Sequence, residues 1–283
     1  MSQLQKYLFS IVAFLLIVVI SFDASLFMAI NYTPNQLKVR YTTLQDTKIP
    51  ESLNDVSIVF ITDLQYGTYQ TDERTKRVFE QIQALNPDIL VFGGDLYDSN
   101  ATISNQSNEK LIQYFNSIEA PMGKYAIWGE KDWSDDTHKE AVKKVYHYSQ
   151  MELLHNTNVR ISGKDKKSIR LIGLTSTNNI SQALDGLSSK TYNLFVTHKP
   201  DNFLSQSLAN HSISYGIAGH SHGTQITLPF LGAYKTIQGA SQINKENHKT
   251  LSFPYTINAG LGCTKVDMRY NATPEIDVFV LKH

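Results

Sequence analysis

The strongest constraint on the fold is a rhythm in which apolar runs of strand length alternate with amphipathic stretches of helical length. Residues 56–62, VSIVFIT, form a continuous apolar run. Residues 72–85, DERTKRVFEQIQAL, carry apolar positions at helical spacing, open on acidic residues and stop at Asn86-Pro87. A second strand is read at residues 88–94, a second helix at 108–118 and a third strand at 124–129, KYAIWG. Strands alternating with helices of this length predict an α/β core with mostly parallel central strands. A strand near residues 37–44 precedes the series, and residues 159–174 read as a β-hairpin turning through Gly163 and the solvated lysines that follow. Further apolar runs stand at 192–197, 213–218, 226–228, 256–259 and 276–281.

What stands at the ends of these runs points to chemistry. The first strand ends in Asp63, the second in Asp95, the third in Gly129-Glu130, the run at 192–197 in His198, and the run at 213–218 in Gly219-His220-Ser221-His222. In open α/β sheets ligands bind at the carboxyl ends of strands, where loops converge. An Asp after a strand is by itself usually a cap or turn residue, and a lone His is usually a packed one. His220 and His222 between two glycines are more specific, because tight turns let two imidazoles meet at one centre. Taken jointly, carboxylates and imidazoles at five successive strand ends form a metal-ligand inventory.

The remaining composition excludes several alternatives. Lys+Arg and Asp+Glu are 26 each, so no basic excess argues for nucleic acid as a partner. The single cysteine, Cys263, forms no intrachain disulfide and no Cys-based zinc site, and is expected to pack near the strand-end cluster without reacting. The histidines outside the strand ends, His138, His147, His155, His211, His248 and His283, are read as structural or exposed. At the N-terminus, residues 7–22 carry no charge, and apolar character resumes after Asp23 as far as Ile30. Sixteen helical residues span about 24 Å, and continuing past Asp23 reaches the roughly 30 Å of a bilayer core. The expectation is an uncleaved anchor over residues 1–31 and one domain over 32–283. Lys6 before the run places the N-terminus in the cytoplasm and the domain outside.

The ordered blocks ITDLQYG (61–67), FGGDLYD (92–98), WGEKD (128–132), VTHKPD (196–201) and GHSHGTQITLPF (219–230) resemble those of the calcineurin-like metallophosphoesterases. There they read roughly D-x-H, G-D, G-N-H-D, a single H and G-H-x-H. The last block, with NAGLGCTKVDMRY (258–270), is similar to the bacterial branch anchored through its N-terminus. The resemblance covers residues 36–282 and implies an α/β/β/α four-layer sandwich. It also implies two divalent ions (Mn, Fe or Zn), with Asp63 and His222 on the first, His198 and His220 on the second and Asp95 bridging. A hydroxide shared by the ions would attack a phosphomonoester or phosphodiester.

Three positions depart from the pattern. Gln65 stands where a histidine ligates the first metal, Glu130 replaces an asparagine ligand of the second, and Lys131 replaces the histidine that assists the leaving group. In one reading the site is active and retuned: Glu130 ligates, Gln65 offers a neutral amide oxygen, and Lys131, with Asp132 beside it, serves catalysis as a phosphate clamp or proton donor. In the other, the site is degenerate and the domain is an extracytoplasmic metal-binding module. Tyr66, Tyr69 and Trp133 beside the motifs are read as packing residues or as walls of a substrate pocket.

Overall fold

Two sheets form the frame, and the computed structural model describes it over residues 2–175, 179–209 and 211–283. The larger runs in the order β1 (Lys38–Gln45), β13 (Glu275–Lys282), β2 (Ser57–Ile61), β3 (Ile89–Phe92), β4 (Lys124–Ala126) and β5 (Met151–Leu153). Strands β2 to β5 are mutually parallel, while β13 enters antiparallel to β2 and parallel to β1. The smaller sheet runs β12 (Tyr255–Ile257), β9 (Tyr215–Ala218), β8 (Asn193–Thr197), β7 (Ser168–Leu174) and β6 (Thr157–Ser162). As expected, β6 and β7 are an antiparallel hairpin, closed by hydrogen bonds across Gly163–Lys167.

Side-chain alternation dictates the layering. In β2, Ile58 and Phe60 face the second sheet, where they meet Leu171, Leu194, Val196 and Ile217. Val59 and Ile61 face the other way, toward the helices α2 (Asp72–Leu85), α3 (Asn105–Asn116) and α4 (Asp136–Tyr148). Both faces of a central strand are therefore apolar, which is why its sequence reads as a continuous run rather than an alternating one. Burying each such side chain stabilises by about 1.5–3 kcal/mol. The outer face of the small sheet, with Ile172, Leu174 and Phe195, is covered by Phe203, Phe253 and two four-residue helices, α5 (Ile180–Ala183) and α6 (Gln206–Ala209). The sandwich is thus α/β/β/α, with a thin fourth layer.

Helix α2 begins and ends where its sequence predicts: Thr71 caps the N-terminus by accepting from the Arg74 amide, and Asn86 leaves in the left-handed conformation at φ 45°. Helix α4 is absent from the rhythm read above. Its apolar positions, Ala141, Val142, Val145 and Tyr146, do repeat at helical spacing and pack into the helical layer, behind an Asp135 cap.

The N-terminal apolar segment is helical too. Helix α1 spans Gln3–Phe27 and continues through one π turn and one 3-10 turn to Asn35. Apolar along most of its length and with none of its residues buried, it is a candidate membrane span. Its far end is tied to the body: Ser25 Oγ donates to the Tyr270 hydroxyl at 2.7 Å, and the buried Ala29 accepts from the Arg269 amide at 2.9 Å.

Candidate metal centre

The carboxyl ends of β2, β3, β8 and β9 converge, and the loops after β2, β3 and β9 are forced into an unusual backbone. Asp63, Gln65, Asp95, His220 and His222 all have φ between 51° and 65°. A non-glycine residue held in this region costs about 1 kcal/mol or more. Five such residues in one place mean that the surrounding hydrogen bonds dictate where the side chains point. The Asp63 amide donates to Gly94, Gln65 to Asp95, and both Leu261 and Gly262 donate to the Asp63 carbonyl. Gly129 is required for the same reason, since a Cβ there would lie 2.1 Å from Asp95 Oδ1.

The three imidazoles share one design. His198 Nδ1 faces the Gly93 carbonyl at 2.8 Å, His220 Nε2 the Gln238 carbonyl at 2.8 Å, and His222 Nδ1 the Gly262 carbonyl at 3.0 Å. A carbonyl only accepts, so each outer nitrogen carries its proton and each inner nitrogen keeps a lone pair when the ring is neutral. That is how metal-binding histidines are oriented. The inner nitrogens of His198 and His220 lie 3.1 Å apart, and Asp95 Oδ2 is 3.5 Å from His198 Nε2. The Asp95, His198 and His220 ligand atoms all lie within 4.8 Å of one another.

Asp63 completes the inner wall. Its Oδ2 accepts from the Thr62 hydroxyl at 2.9 Å and the His220 amide at 2.8 Å. Its Oδ1 is buried with no hydrogen-bond partner, 3.5 Å from His222 Nε2 and 3.9 Å from His198 Nε2. An orphaned carboxylate oxygen facing imidazole nitrogens is an acceptor awaiting a cation. The mixed oxygen and nitrogen donors fit a divalent transition metal such as Mn, Fe or Zn.

Without a metal, protons do part of this work. Burial opposes charge on His198, but Asp95 and Asp63 outweigh it and raise the imidazole to about 9. Burial lowers His222 to about 4, and burial together with the charged His198 lowers His220. Asp95 stays ionised despite burial because His198 and Lys131 face it.

The residues of the third motif behave differently from one another. Asp132 is buried, and its oxygens accept the amides of Leu96 at 2.8 Å, Asp95 at 2.9 Å and Gly129 at 2.7 Å. It clamps the second and third loops together, and burial beside Asp95 raises it to about 6. Lys131 places its main-chain amide on Asp95 Oδ1 at 2.9 Å and its ammonium on Gln65 Oε1 at 2.6 Å. Gln65 in turn donates from Nε2 to Asp95 Oδ2 at 2.9 Å. Glu130, expected as a ligand, is not in the cluster of Asp95, His198 and His220: 47% exposed, it pairs with Lys199 at 2.5 Å.

Around this centre, Tyr66 is buried against Tyr97, Tyr69 bonds the Lys265 carbonyl, and the half-exposed Trp133 stacks on Trp128. Cys263 is buried. Arg269 is a contributor that the motifs did not single out. Fully buried, it donates to the carbonyls of His222, Ala259, Gly260, Gly262 and Ala272, and so fixes the loop that receives His222 Nδ1. Its one sequence signal is its place inside the block at 258–270.

Comparison with known proteins agrees with the geometry. A model of the calcineurin-like phosphoesterase family matches residues 56–236. The metallophosphoesterase YkuE of Bacillus subtilis is 28% identical over 88% of this chain and 87% of its own length. A Danio rerio transmembrane protein with a metallophosphoesterase domain is 23% identical over 83% of this chain, which spans 55% of that protein. The UDP-2,3-diacylglucosamine pyrophosphatase LpxG of Chlamydia muridarum is 26% identical over 86% of this chain and 88% of its own length. With a family match over more than half its length, on a frame whose strand ends gather buried carboxylates and inward-facing imidazoles, this chain belongs to the calcineurin-like phosphoesterases.

Proposed function

We propose that this protein is a membrane-anchored, metal-dependent phosphoesterase acting on a phosphate ester or anhydride carried by a lipid or envelope component. The observation that carries the reading is the orphaned Asp63 oxygen among three imidazoles whose outer nitrogens are all tied to carbonyls. Asp95, His198 and His220 would hold a divalent ion, with Asp63 and His222 beside it. Such an ion, when bound, supplies Lewis acidity toward a phosphoryl oxygen. The Lys131 ammonium, partly exposed at the rim, clamps a non-bridging phosphate oxygen. Asp132 acts through Asp95, holding its backbone rather than touching substrate.

Anchor and substrate belong together in this reading. Residues 1–31 form the anchor and 32–283 the working domain, with the N-terminus cytoplasmic and the domain extracytoplasmic. A hairpin of β10 (Thr227–Leu228) and β11 (Gly232–Ala233) leaves the centre after His222 and returns to it at Gln238. Its exposed residues Phe230, Leu231 and Tyr234 form an apolar tip. Its base bonds Tyr270, the residue that also holds Ser25 of α1. The tip and the span therefore share a support, which suits a substrate presented at the bilayer surface. The relative named as a diacylglucosamine pyrophosphatase supports the same class.

The test uses the full chain in detergent or proteoliposomes. Metal content and hydrolysis of a phosphodiester, a phosphomonoester and a lipid-borne pyrophosphate are measured with Mn, Zn and Mg. Metal-dependent hydrolysis lost in Asp95→Asn supports the reading. A protein that binds metal yet hydrolyses none of the three is the degenerate metal-binding module instead, and one that neither binds metal nor hydrolyses any of them overturns the reading.

A further inference from the structure

Two of the three positions where this chain departs from its family's motif pattern touch one another. Gln65 and Lys131 are 66 residues apart in sequence, yet Lys131 Nζ lies 2.6 Å from Gln65 Oε1. The contact uses up the amide. Its oxygen, the one atom able to ligate a metal, faces the ammonium, and its nitrogen donates to Asp95 Oδ2 at 2.9 Å. Lys131 Nζ also lies 3.9 Å from Asp95 Oδ2 and 3.8 Å from Asp98 Oδ2. A fixed cation thus sits among the groups at one side of the centre. On the other side, Asp95, His198 and His220 form the one cluster of three ligand residues found among the described residues. Asp63 Oδ1 lies 3.5 Å from His222 Nε2 and 3.9 Å from His198 Nε2, and among the described residues no second cluster of three ligand residues forms around that pair.

We infer that this protein binds one divalent ion, on Asp95, His198 and His220, and that the Lys131 ammonium, held in place by Gln65, supplies the positive charge that a second ion would bring. The inference rests on the metal-dependent reading above and narrows it. An ammonium and a divalent ion repel at short range in a buried site, so the lysine excludes the second ion as well as replacing its charge. The pair matches in both geometry and charge, which separates it from accumulated loss: an amide oxygen meets an ammonium, and the amide nitrogen meets a carboxylate.

Metal stoichiometry decides the matter independently of activity. Full-length protein is loaded with Mn(II), desalted and analysed for metal per folded chain, and its electron paramagnetic resonance spectrum is recorded. One ion per chain with the spectrum of isolated Mn(II) is expected. His222→Ala is expected to keep that ion, and His220→Ala to lose it. Gln65→His combined with Lys131→His is expected to raise the content to two, with a spin-coupled spectrum. Two ions in the unaltered protein overturn the inference and leave the phosphoesterase reading standing, whereas none overturns both. One ion that is lost in His222→Ala overturns its placement. The measurements on the unaltered chain stand even if the double variant does not fold.

Discussion

Two clusters of buried charge flank the loop at residues 258–262, and they are built on opposite plans. On one side, Glu275 and Asp277 at the start of β13 are closed off by protein cations. Arg40 lies 2.8 Å from each, Lys245 pairs with Glu275, and Asn258 donates to Asp277 at 2.9 Å. On the other side, Asp63 and Asp95 face the His198 and His222 imidazoles and one ammonium, and an oxygen of Asp63 is left without a hydrogen-bond partner. Glu275 Oε1 also makes no hydrogen bond, but the Arg40 guanidinium stands 2.8 Å from it, whereas nothing lies nearer Asp63 Oδ1 than the His222 imidazole at 3.5 Å among the ion-pair contacts. The first cluster balances its charge with its own side chains and so serves the fold. The second is balanced incompletely and so serves a ligand. Buried carboxylates alone do not mark a site; an unsatisfied one with oriented donors around it does.

The sharpest way to break this contrast is Asp63→Asn. The amide oxygen keeps the Thr62 and His220 bonds, and the amide nitrogen puts a donor opposite the His222 lone pair. Metal-dependent hydrolysis is expected to fall about a thousandfold, while metal-free stability changes by less than about 1 kcal/mol. Turnover and thermal melting measured on the same preparation check both halves. A large loss of stability would mean that Asp63, like Asp277, is a structural carboxylate.

The mirror experiment is Arg40→Met. It leaves Glu275 and Asp277 buried with Lys245 as their remaining cation, and is expected to cost about 3 kcal/mol. At about 2–4 °C per kcal/mol for a chain of this size, the melting temperature drops by about 10 °C. Metal content per folded chain should not change. If it falls, the two clusters are coupled through the loop and the contrast between them is false.

The site half of this contrast is legible in the sequence, whereas the cluster of Arg40, Glu275 and Asp277 is not, because it joins β1 to β13 across most of the chain. The strand ends gave up Asp63, Asp95, His198, His220 and His222, because β2, β3, β8 and β9 are buried on both faces and their apolar runs stand out. Helix α4 was passed over because its four buried apolar residues are spread among charged ones, so its periodicity is diluted. Neither the Gln65–Lys131 contact nor the pairing of Glu130 with Lys199 can be read from spacing, since each joins loops brought together by the sheets. Arg269 was invisible for another reason: an arginine is ordinarily exposed, and nothing beside it announces a ring of five carbonyls.

Asp132 lies between the two plans, ionisable and buried like the site residues but bonded on both oxygens like Asp277. In Asp132→Asn an amide nitrogen meets main-chain N–H groups on Asp95, Leu96 or Gly129, donor against donor. The expected cost is about 2 kcal/mol of stability. Because the clamp sets the position of Asp95, metal affinity is expected to fall about 10–100-fold, read by titration on folded protein. A stability loss with unchanged affinity would make Asp132 purely structural.

The smallest effect concerns which way the open cluster faces. Replacing Phe230 and Leu231 together by Ser removes two exposed apolar side chains that contribute nothing to the core, so melting should not change. If the hairpin tip enters the bilayer held by α1, the loss is that of partitioning two such side chains, at most about 1.5–3 kcal/mol each. Part of it would then be offset, because α1 as the proposed anchor would already confine the domain to the surface. The expected result in proteoliposomes is a few-fold to tenfold lower rate on a lipid-borne substrate, with no change on a water-soluble ester. Equal losses on both substrates would place the hairpin's role at the His222 and Gln238 ends of the loop, inside the centre itself, and remove the bilayer from the explanation.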